Sequence, residues 1–415
     1  MNEGIADVLL RTAFALKGDF SRGIRPSKKL FDDVEITAFF GAARGAVTIS
    51  ADFELEWAFR GLKLEEQKLM GVRSRRNVPI VLEILAEQSI PITWATVGHL
   101  FLESCERGQC GLAHPEMPRP PRNPHWRGDW YMHDPCTNVD EDPGWYAPDL
   151  IELIDSSEVR HEIGTHSFSH IDFSKQCSNE LLVRRELEES SKVMEPFGLR
   201  PRSLVYPRNS MGHQYLELLG DLNITSVRHR DTAIRLSYPE RSECGVYKLY
   251  ESMNLRKGNG YKYLSKAKIF LDEAMNCEAA YHFWFHPSDP TELFENEFHD
   301  IVCCIAALRN RGEIWVATMS EIAAYCEARQ KIKLDVCRNG KSIKIRVDSS
   351  YDAVRFGNTD VTLRVPLSHL PKRCLVRSGG EEKTIDGNAE TGGACEGRTL
   401  LINVPASAEE LEVVL

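Results

Sequence analysis

From about residue 46 to residue 328, short apolar runs alternate with segments whose apolar positions recur at helical spacing. Such alternation implies parallel strands covered by helices, because a parallel strand pair needs a crossover connection. Seven or eight strand–helix units predict an α/β fold, a distorted (β/α)7-8 barrel. The predicted strands are 46–53, 90–98, 159–166, 203–207, 224–229, 246–250, 279–286 and 313–319, and the predicted helices are 77–89, 179–195, 213–222, 298–312 and 320–329.

Three segments do not follow this alternation of strands and helices. Residues 103–148 form a long insertion rich in Pro, Trp and His, and its aromatic residues argue against disorder. From residue 331 to residue 415, short alternating strands are separated by Gly, Asn and Ser, which predicts a small C-terminal all-β sandwich. Residues 1–45 are expected to be an N-terminal helical extension. The catalytic barrel is therefore predicted to span residues 46–330.

Composition excludes some classes of function. The net charge of -10 argues against nucleic acid as the main partner, because phosphate binding favours a basic surface. No stretch approaches the roughly 20 apolar residues of a transmembrane segment, and the N-terminus lacks the pattern of a secretion signal. The twelve cysteines form no C-x-x-C pair, so a structural zinc knuckle is not expected. We therefore expect a cytoplasmic protein with reduced thiols.

The first chemistry-bearing segment is TISADFELEW, at the end of the first predicted strand. In an extended chain, residues two positions apart point to the same side, so Asp52 and Glu54 can face one site while Phe53 points elsewhere. Two such carboxylates repel each other unless a cation or a proton lies between them. The pair indicates a cation or acid–base site, with an acidic surface turn as the alternative.

Two histidine-containing segments follow other predicted strands. In HEIGTHSFSH, the i,i+4 spacing of His166 and His170 predicts that both imidazoles lie on one face of a helical turn. Two histidines and a carboxylate are a common zinc ligand set that leaves a position for water. In HFWFHP, His286 ends the seventh strand and is a candidate general acid or base. His282 is interpreted as a packed residue.

Taken in order, these segments resemble the NodB-like polysaccharide deacetylase family, carbohydrate esterase family 4. SADFELEW is similar to the first motif, in which an aspartate base precedes a metal-binding acid, and GTHSFSH to the metal-binding H-[ST]-x-x-H motif. LVYPRNS stands where the third motif lines one wall of the groove, and YHFWFHP is similar to the last motif, which supplies the acid histidine. The resemblance covers roughly residues 46–328 and implies a barrel of the polysaccharide deacetylase type.

The resemblance also implies roles for individual residues. Glu54, His166 and His170 would hold one divalent metal, with Zn²⁺ as the first choice. Asp52 would be the general base and His286 the general acid. A D-x-E pattern replaces the two adjacent aspartates of many family members, so an exchange of roles between the two carboxylates stays open.

The third and fourth motifs are matched less well. A backbone N–H near Tyr206 would help to stabilise the oxyanion. Arg208 follows Pro207, whereas the family usually has an arginine before the proline. No match to the fourth motif is clear, although Arg228, His229 and Arg230 occupy its region.

The substrate implied by this resemblance is a carbohydrate. Trp145 and Tyr146 of the insertion are candidates to pack on a sugar ring, with packing of the insertion onto the barrel as the alternative, and Arg208 and Asn209 are candidates to contact substrate polar groups. The predicted activity is removal of an N-acetyl or related acyl group from an amino sugar or glycan precursor, as in surface polysaccharide biosynthesis. An allantoinase-like amidase acting on a small C–N substrate and a non-catalytic carbohydrate-binding protein are the alternatives. The C-terminal sandwich could pack on the barrel, bind carbohydrate or form a homodimer.

Overall fold

The computed structural model describes residues 20–232, 234–256, 263–340, 342–367, 373–378, 381–386, 395–396 and 399–414. Its strands, in chain order, are β1 (Phe20–Arg22), β2 (Lys29–Phe31), β3 (Val34–Ile36), β4 (Gly45–Phe53), β5 (Thr93–Thr96), β6 (Glu162–Thr165), β7 (Ser203–Val205), β8 (Ser226–His229), β9 (Ile234–Leu236), β10 (Glu240–Arg241), β11 (Tyr247–Tyr250), β12 (Met253–Leu255), β13 (Ala280–Phe285), β14 (Ile314–Val316), β15 (Ile332–Arg338), β16 (Ser342–Ser349), β17 (Asp360–Pro366), β18 (Arg373–Ser378), β19 (Glu381–Asp386), β20 (Cys395–Glu396), β21 (Thr399–Pro405) and β22 (Glu410–Val414).

The α-helices are α1 (Leu64–Glu87), α2 (Pro148–Asp155), α3 (Glu180–Met194), α4 (Leu216–Asp221), α5 (Tyr263–Cys277), α6 (Thr291–Leu293), α7 (His299–Asn310), α8 (Met319–Lys331) and α9 (Ala353–Phe356). A π-helical turn, Phe294–Phe298, joins α6 to α7. Short 3₁₀ turns occur at Phe40–Ala42, Trp57–Phe59, Gly98–Phe101, Glu195–Phe197, Pro207–Asn209 and His213–Tyr215. Among the described helices, none combines the length and apolar character that a membrane crossing needs.

The largest sheet contains ten strands in the order β10-β11-β8-β7-β6-β5-β4-β13-β12, with β14 also paired to β4. All its pairs are parallel except β10 with β11. β4 is buried along its whole length, as expected for a strand with both faces covered. The predicted α/β fold of strands and helices is therefore confirmed, as a distorted barrel whose end strands β10 and β12 do not pair.

Local sequence signals account for the helices beside this sheet. The side chain of Asn179 caps α3 by accepting a hydrogen bond from Leu182 N at 2.9 Å. Thr318 and Glu321 form a reciprocal capping box at the start of α8. These caps satisfy backbone N–H groups that have no partner inside the helix.

Two five-stranded sheets follow the barrel, in the orders β15-β16-β22-β18-β19 and β2-β3-β17-β21-β20. Their inner faces share one core, which includes Ile36, Ile345, Leu363, Ile402 and Leu411. The extra C-terminal sheets match the predicted sandwich. β15 starts directly after α8.

The expectation of a helical N-terminal extension does not hold for residues 20–45, while residues 1–19 lie outside the described residues. β2 and β3 form a hairpin that adds to the C-terminal sandwich through Ile36 and Glu35, which pair with Leu363 and Arg364 of β17. The reason is burial: Val34 and Ile36 are fully buried in the sandwich core. The sandwich therefore contains strands from both ends of the chain.

Arg329 of α8 fastens this hairpin to the barrel. Its guanidinium is buried and donates hydrogen bonds to the carbonyl oxygens of Thr37 (2.9 Å), Ile36 (3.3 Å) and Ser27 (2.5 Å). Buried carbonyls that lose their donors are costly, at about 1–3 kcal/mol each. The contact thus joins the last barrel helix to the N-terminal strands.

We expect Arg329→Met to lower the free energy of unfolding by about 1–3 kcal/mol, because it removes the guanidinium hydrogen bonds to three carbonyl oxygens, of which Thr37 O keeps the hydroxyl of Tyr325 as a donor. Urea unfolding monitored by circular dichroism measures this change. Lys331→Met, a similar substitution near the exposed end of the same helix, is the control and should change the stability little. Equal effects of the two substitutions would contradict the role of Arg329.

Candidate active site

The register of the large sheet aligns the candidate residues at one edge. Cross-strand pairing runs from β4 to β8 through Phe53, Thr96, Thr165, Leu204 and Val227. Because the strands are parallel, the residues immediately after these positions emerge at the same carboxyl edge. Those residues include Glu54, His166 and Arg228, and on the other side of β4 the pairing of Ala51 with Phe285 brings in His286.

Glu54 lies between the two predicted histidine ligands. Its Oε2 atom is 3.3 Å from His166 Nε2 and 3.1 Å from His170 Nε2. All three side chains are at most 5% exposed. Burial alone would raise the pKa of Glu54, but the two imidazoles outweigh it and hold that pKa well below its usual range.

This trio fits a divalent cation. His166 Nδ1 lies 2.8 Å from the carbonyl of Val205, so a neutral ring that donates there turns its Nε2 lone pair towards Glu54. Within the described residues, His166 Nε2 is a buried atom without a hydrogen-bond partner. One carboxylate oxygen and two imidazole nitrogens therefore converge as ligands, and together they form a candidate metal site.

The histidine loop differs from the predicted helical turn. Ser167 and His170 both adopt left-handed backbone conformations, with φ of 60° and 57°, so the segment is an irregular loop. It is held by hydrogen bonds from Ser167 N to Thr165 Oγ1 and from Ile171 N to Ser167 Oγ. The two imidazoles still meet, with ring centroids 5.0 Å apart. Backbone of this kind is costly and is concentrated at functional sites.

Asp52 is held by a residue to which the sequence alone assigned no role. The guanidinium of Arg228 donates to both carboxylate oxygens of Asp52, at 2.5 and 2.7 Å. Both side chains are almost completely buried. Burial would raise the pKa of Asp52, but the charge and hydrogen bonds of Arg228 outweigh it and lower that pKa. Asp52 is therefore an oriented carboxylate beside the candidate metal site.

Arg228 is itself fixed from two sides. Its guanidinium carbon lies 4.2 Å from the ring centroid of Trp284, and its Nη2 donates to Asn209 Oδ1 at 3.4 Å. The sequence signal was an arginine inside a predicted strand, where a charge is costly to bury unless it is paired.

His286 reaches the same space from the end of β13. Its Nε2 is 3.8 Å from Asp52 Oδ2 and 3.7 Å from Glu54 Oε1. At 26% exposed it is the most accessible side chain of the cluster. The mouth of the site is therefore on the His286 side. His282 lies deeper, is fully buried and contacts Ser50 Oγ at 2.9 Å, in agreement with a packed residue.

Residues 70–227 match the family model for polysaccharide deacetylase. This part of the chain is therefore similar to polysaccharide deacetylases. The matched region includes His166 and His170, whereas Asp52, Glu54 and His286 lie outside it. A comparison with curated proteins found no match.

Solved structures provide a second comparison. A candidate polysaccharide deacetylase from Mycobacterium smegmatis is similar at a TM-score of 0.51 and 16% identity, over 77% of this chain and 99% of that one. A second candidate, from Pseudomonas aeruginosa PAO1, has a TM-score of 0.46 and 14% identity, over 69% of this chain and 91% of that one. Puue allantoinase has a TM-score of 0.45 and 15% identity, over 69% of this chain and 91% of that one. At 16% identity, the similarity to the Mycobacterium smegmatis structure shows a shared fold.

The predicted substrate residues fall into two groups. Arg208 and Asn209 lie beside the site in left-handed backbone conformations, and Arg208 Nη2 donates to the carbonyl of Ala58 at 3.3 Å. Trp145 and Tyr146 are instead buried inside the insertion, at 4% and 0% exposed. Their burial argues against the predicted sugar contact and favours packing of the insertion onto the barrel.

Tyr206 also has a buried side chain, packed edge to face against Phe173. Burial raises the pKa of its phenol. Its backbone directly follows Val205, whose carbonyl accepts the hydrogen bond from His166. The backbone of Tyr206, rather than its ring, is therefore the part near the candidate metal site.

Arg60 and Glu186 are further residues that sequence reasoning missed. Arg60 lies over the rings of three tryptophans and donates to Ser169 O at 2.6 Å, and burial lowers its pKa to about 9. Glu186 accepts hydrogen bonds from Ser169 N (2.8 Å) and Ser169 Oγ (2.6 Å). Together they position the loop that carries His170.

We expect Glu54→Ala, His166→Ala and His170→Ala each to lose one equivalent of bound metal relative to the wild-type chain, because each removes a ligand. Elemental analysis after dialysis measures the content. His286→Ala, which removes no ligand, should retain it. Unchanged metal content in all three ligand variants would contradict the assignment. Loss of metal in Asp52→Asn but not in Glu54→Gln would instead make Asp52 the metal ligand and Glu54 the base.

Proposed function

We propose that this chain is a metal-dependent hydrolase that removes an N-acetyl or related acyl group from an amino sugar or glycan precursor. The observation that carries the proposal is the convergence of Glu54, His166 and His170 with Asp52 and His286 at one edge of the large sheet. A binding protein without catalysis has no need for a buried carboxylate aligned by an arginine next to a ligand trio.

Glu54, His166 and His170 are the residues that would hold the metal, and Zn²⁺ fits their nitrogen and oxygen donors best. Bound there, a divalent metal would polarise the acyl carbonyl and make a water molecule more acidic. Both imidazoles must be neutral to bind. Burial lowers the pKa of His170 to about 3, which keeps that ring neutral over the physiological range.

Asp52 is assigned as the general base. Arg228 locks its carboxylate by two hydrogen bonds, so one orientation is available to accept a proton as water attacks the acyl carbon. A backbone N–H near Tyr206 would donate to the oxyanion that then forms.

His286 is assigned as the general acid. Its Nε2 lies 3.8 Å from Asp52 Oδ2 and 3.7 Å from Glu54 Oε1, so the acid and the base lie side by side and a scissile bond at the mouth of the site would be near both. Protonation of the departing nitrogen is required, since an amide anion is a very poor leaving group. Each such transfer contributes about a hundredfold to ten-thousandfold to the rate.

A polar cleft beside the site suits a sugar. It has a volume of about 270 Å³ and includes Asn209, Arg230, Glu251, Asn254 and Trp284 among its lining residues. These side chains can donate to and accept from hydroxyl groups, and one aromatic ring is present. A larger cavity has a volume of about 650 Å³ and is lined by Glu162, at the start of β6, and Arg202, just before β7. It lies at the opposite end of the strands and is not part of the proposed active site.

A cytoplasmic location belongs to the same proposal. The ten cysteines with described side chains are all free, including the exposed Cys110 and Cys337. Exposed thiols persist in a reducing compartment. A cytoplasmic enzyme of this kind would act on a glycan precursor before export.

We expect the purified chain to release acetate from N-acetylated amino sugars, and a chelator to abolish the release until metal is restored. Asp52→Asn and His286→Ala should each lower kcat by about 10²- to 10⁴-fold, because each removes one proton transfer. Ammonia release from a small amide, without acetate release from sugars, would instead favour the amidase. Sugar binding that is insensitive to chelator, without turnover, would overturn the proposal.

The acid limb of the pH profile tests the pairing of Asp52 with Arg228. The base must be ionised, and Arg228 lowers the pKa of Asp52 against the effect of burial. Arg228→Met should therefore raise that pKa and move the acid limb of kcat/KM to higher pH, and Arg228→Lys should move it less. Arg235→Met, a change at a surface arginine paired with Asp231, is the control. An unchanged acid limb in Arg228→Met would contradict the role of Asp52 as the base.

A further inference from the structure

A second cluster of metal-binding side chains lies outside the active site. His99 comes from the 3₁₀ turn Gly98–Phe101, and Cys105, His114 and Asp134 come from the insertion. His99 Nε2 is 3.1 Å from His114 Nε2, and Asp134 Oδ2 is 3.2 Å from the first nitrogen and 3.0 Å from the second. Cys105 Sγ is 3.7 Å from both oxygens of Asp134.

The two imidazoles of this cluster direct their Nε2 atoms towards each other and towards Asp134. His99 Nδ1 lies 3.2 Å from the carbonyl of Trp145, and His114 Nδ1 faces Glu116 Oε1 at 3.5 Å. Neutral rings that donate from Nδ1 turn both Nε2 lone pairs towards Asp134. The lone pairs of two nitrogens and one carboxylate oxygen then face one another at 3.0–3.2 Å and repel. A cation bound between them would remove this repulsion.

The distances also agree with tetrahedral zinc. Ligand atoms about 2.0–2.1 Å from Zn²⁺ are separated by roughly 3.3 Å along a tetrahedral edge, and a sulfur at about 2.3 Å extends its edge to roughly 3.6 Å. The nitrogen and oxygen atoms here are 3.0–3.2 Å apart, and the sulfur-to-oxygen distance is 3.7 Å. All four ligand atoms lie within 4.8 Å of one another.

We propose that His99, Cys105, His114 and Asp134 form a structural Zn²⁺ site, separate from the active-site metal. Two imidazoles, one thiolate and one carboxylate favour zinc over calcium or magnesium, which prefer oxygen ligands. Binding replaces the thiol proton of Cys105 by the metal, and the proton is released to solvent. Three of the four ligands are buried, since His99 and Asp134 are fully buried and His114 is 8% exposed, while Cys105 is partly buried.

Outer contacts hold the ligands in place. Cys136 N donates to Asp134 Oδ1 at 2.9 Å, and the hydroxyl of Tyr146 lies 3.2 Å from Cys105 Sγ. Such contacts fix the orientation of ligands and are part of established metal sites. They also give Tyr146 a structural role, in place of the predicted contact with sugar.

The cluster lies directly behind the histidine loop of the active site. His99 N donates to Phe168 O and Gly98 N donates to Ser167 O, both at 2.9 Å. The Phe168 ring packs against His99 and His114, with centroids 5.7 and 5.4 Å away. A zinc ion here would fasten the insertion to the loop between His166 and His170, and so stabilise the geometry of the first site.

Metal counting tests the proposal independently of enzymatic activity. The wild-type chain, refolded or expressed with zinc, should contain about two zinc ions, one for each cluster. His114→Ala and Glu54→Ala should each contain about one, and the double variant none. A wild-type content of one ion that is lost in Glu54→Ala and kept in His114→Ala would overturn the second site while leaving the proposed function intact.

Cobalt substitution tests the ligand set, because a thiolate bound to Co²⁺ gives a near-ultraviolet charge-transfer band and the active-site trio contains no sulfur. We expect this band in the wild-type chain and in His166→Ala, and its loss in the conservative variant Cys105→Ser. Cys110→Ser, an exposed thiol of the same insertion, is the matched control and should keep the band. A wild-type Co²⁺ protein without the band, or one whose band survives Cys105→Ser, would overturn the proposal whether or not the variants fold well.

Discussion

Two carboxylates are buried at the end of β4, and the rest of the site is arranged to compensate their charges. Asp52 and Glu54 stand two residues apart and are 4% and 5% exposed, so each charge needs its own compensation. Arg228 compensates Asp52, and the two imidazoles contact Glu54, where they form the candidate metal site. The different partners fit the different roles proposed for the two carboxylates, since one is aligned by an arginine and the other lies between two imidazoles.

The strand register explains how distant segments supply this compensation. Aligned positions of parallel strands are followed by Asp52, Glu54, His166, Arg228 and His286, so these residues meet without unusual loops. The exception is the loop with left-handed backbone at Ser167 and His170. There, residues from other parts of the fold support the loop. Arg60 and Glu186 hold Ser169, and the backbone of the turn at His99 holds Ser167 and Phe168. These hydrogen bonds stabilise the left-handed backbone of the loop.

The eight predicted strands of the barrel are all present, because buried parallel strands form apolar runs bounded by polar residues. Helix α5 was missed although Ala267, Phe270, Leu271 and Ala274 have helical spacing, since it follows a polar segment that resembles a loop. The candidate ligands were found because each follows a predicted strand. The partner of Asp52 was not assigned, because pairing between β4 and β8 side chains is a tertiary contact with no local pattern. The second cluster was missed for the same reason, as its ligands are irregularly spaced over the turn at His99 and the insertion that follows it.

The hairpin of β2 and β3 has a consequence for how the chain is made. Its partner strand, β17, begins at Asp360, more than 300 residues after Ile36, so the hairpin is translated long before this partner, with an apolar face and an open strand edge. Open edges of this kind pair with wrong partners until they are covered. The sandwich can therefore close only after β17 has been translated, and expression fragments cut at residue 45 or residue 330 would each expose one side of the same unfinished sheet.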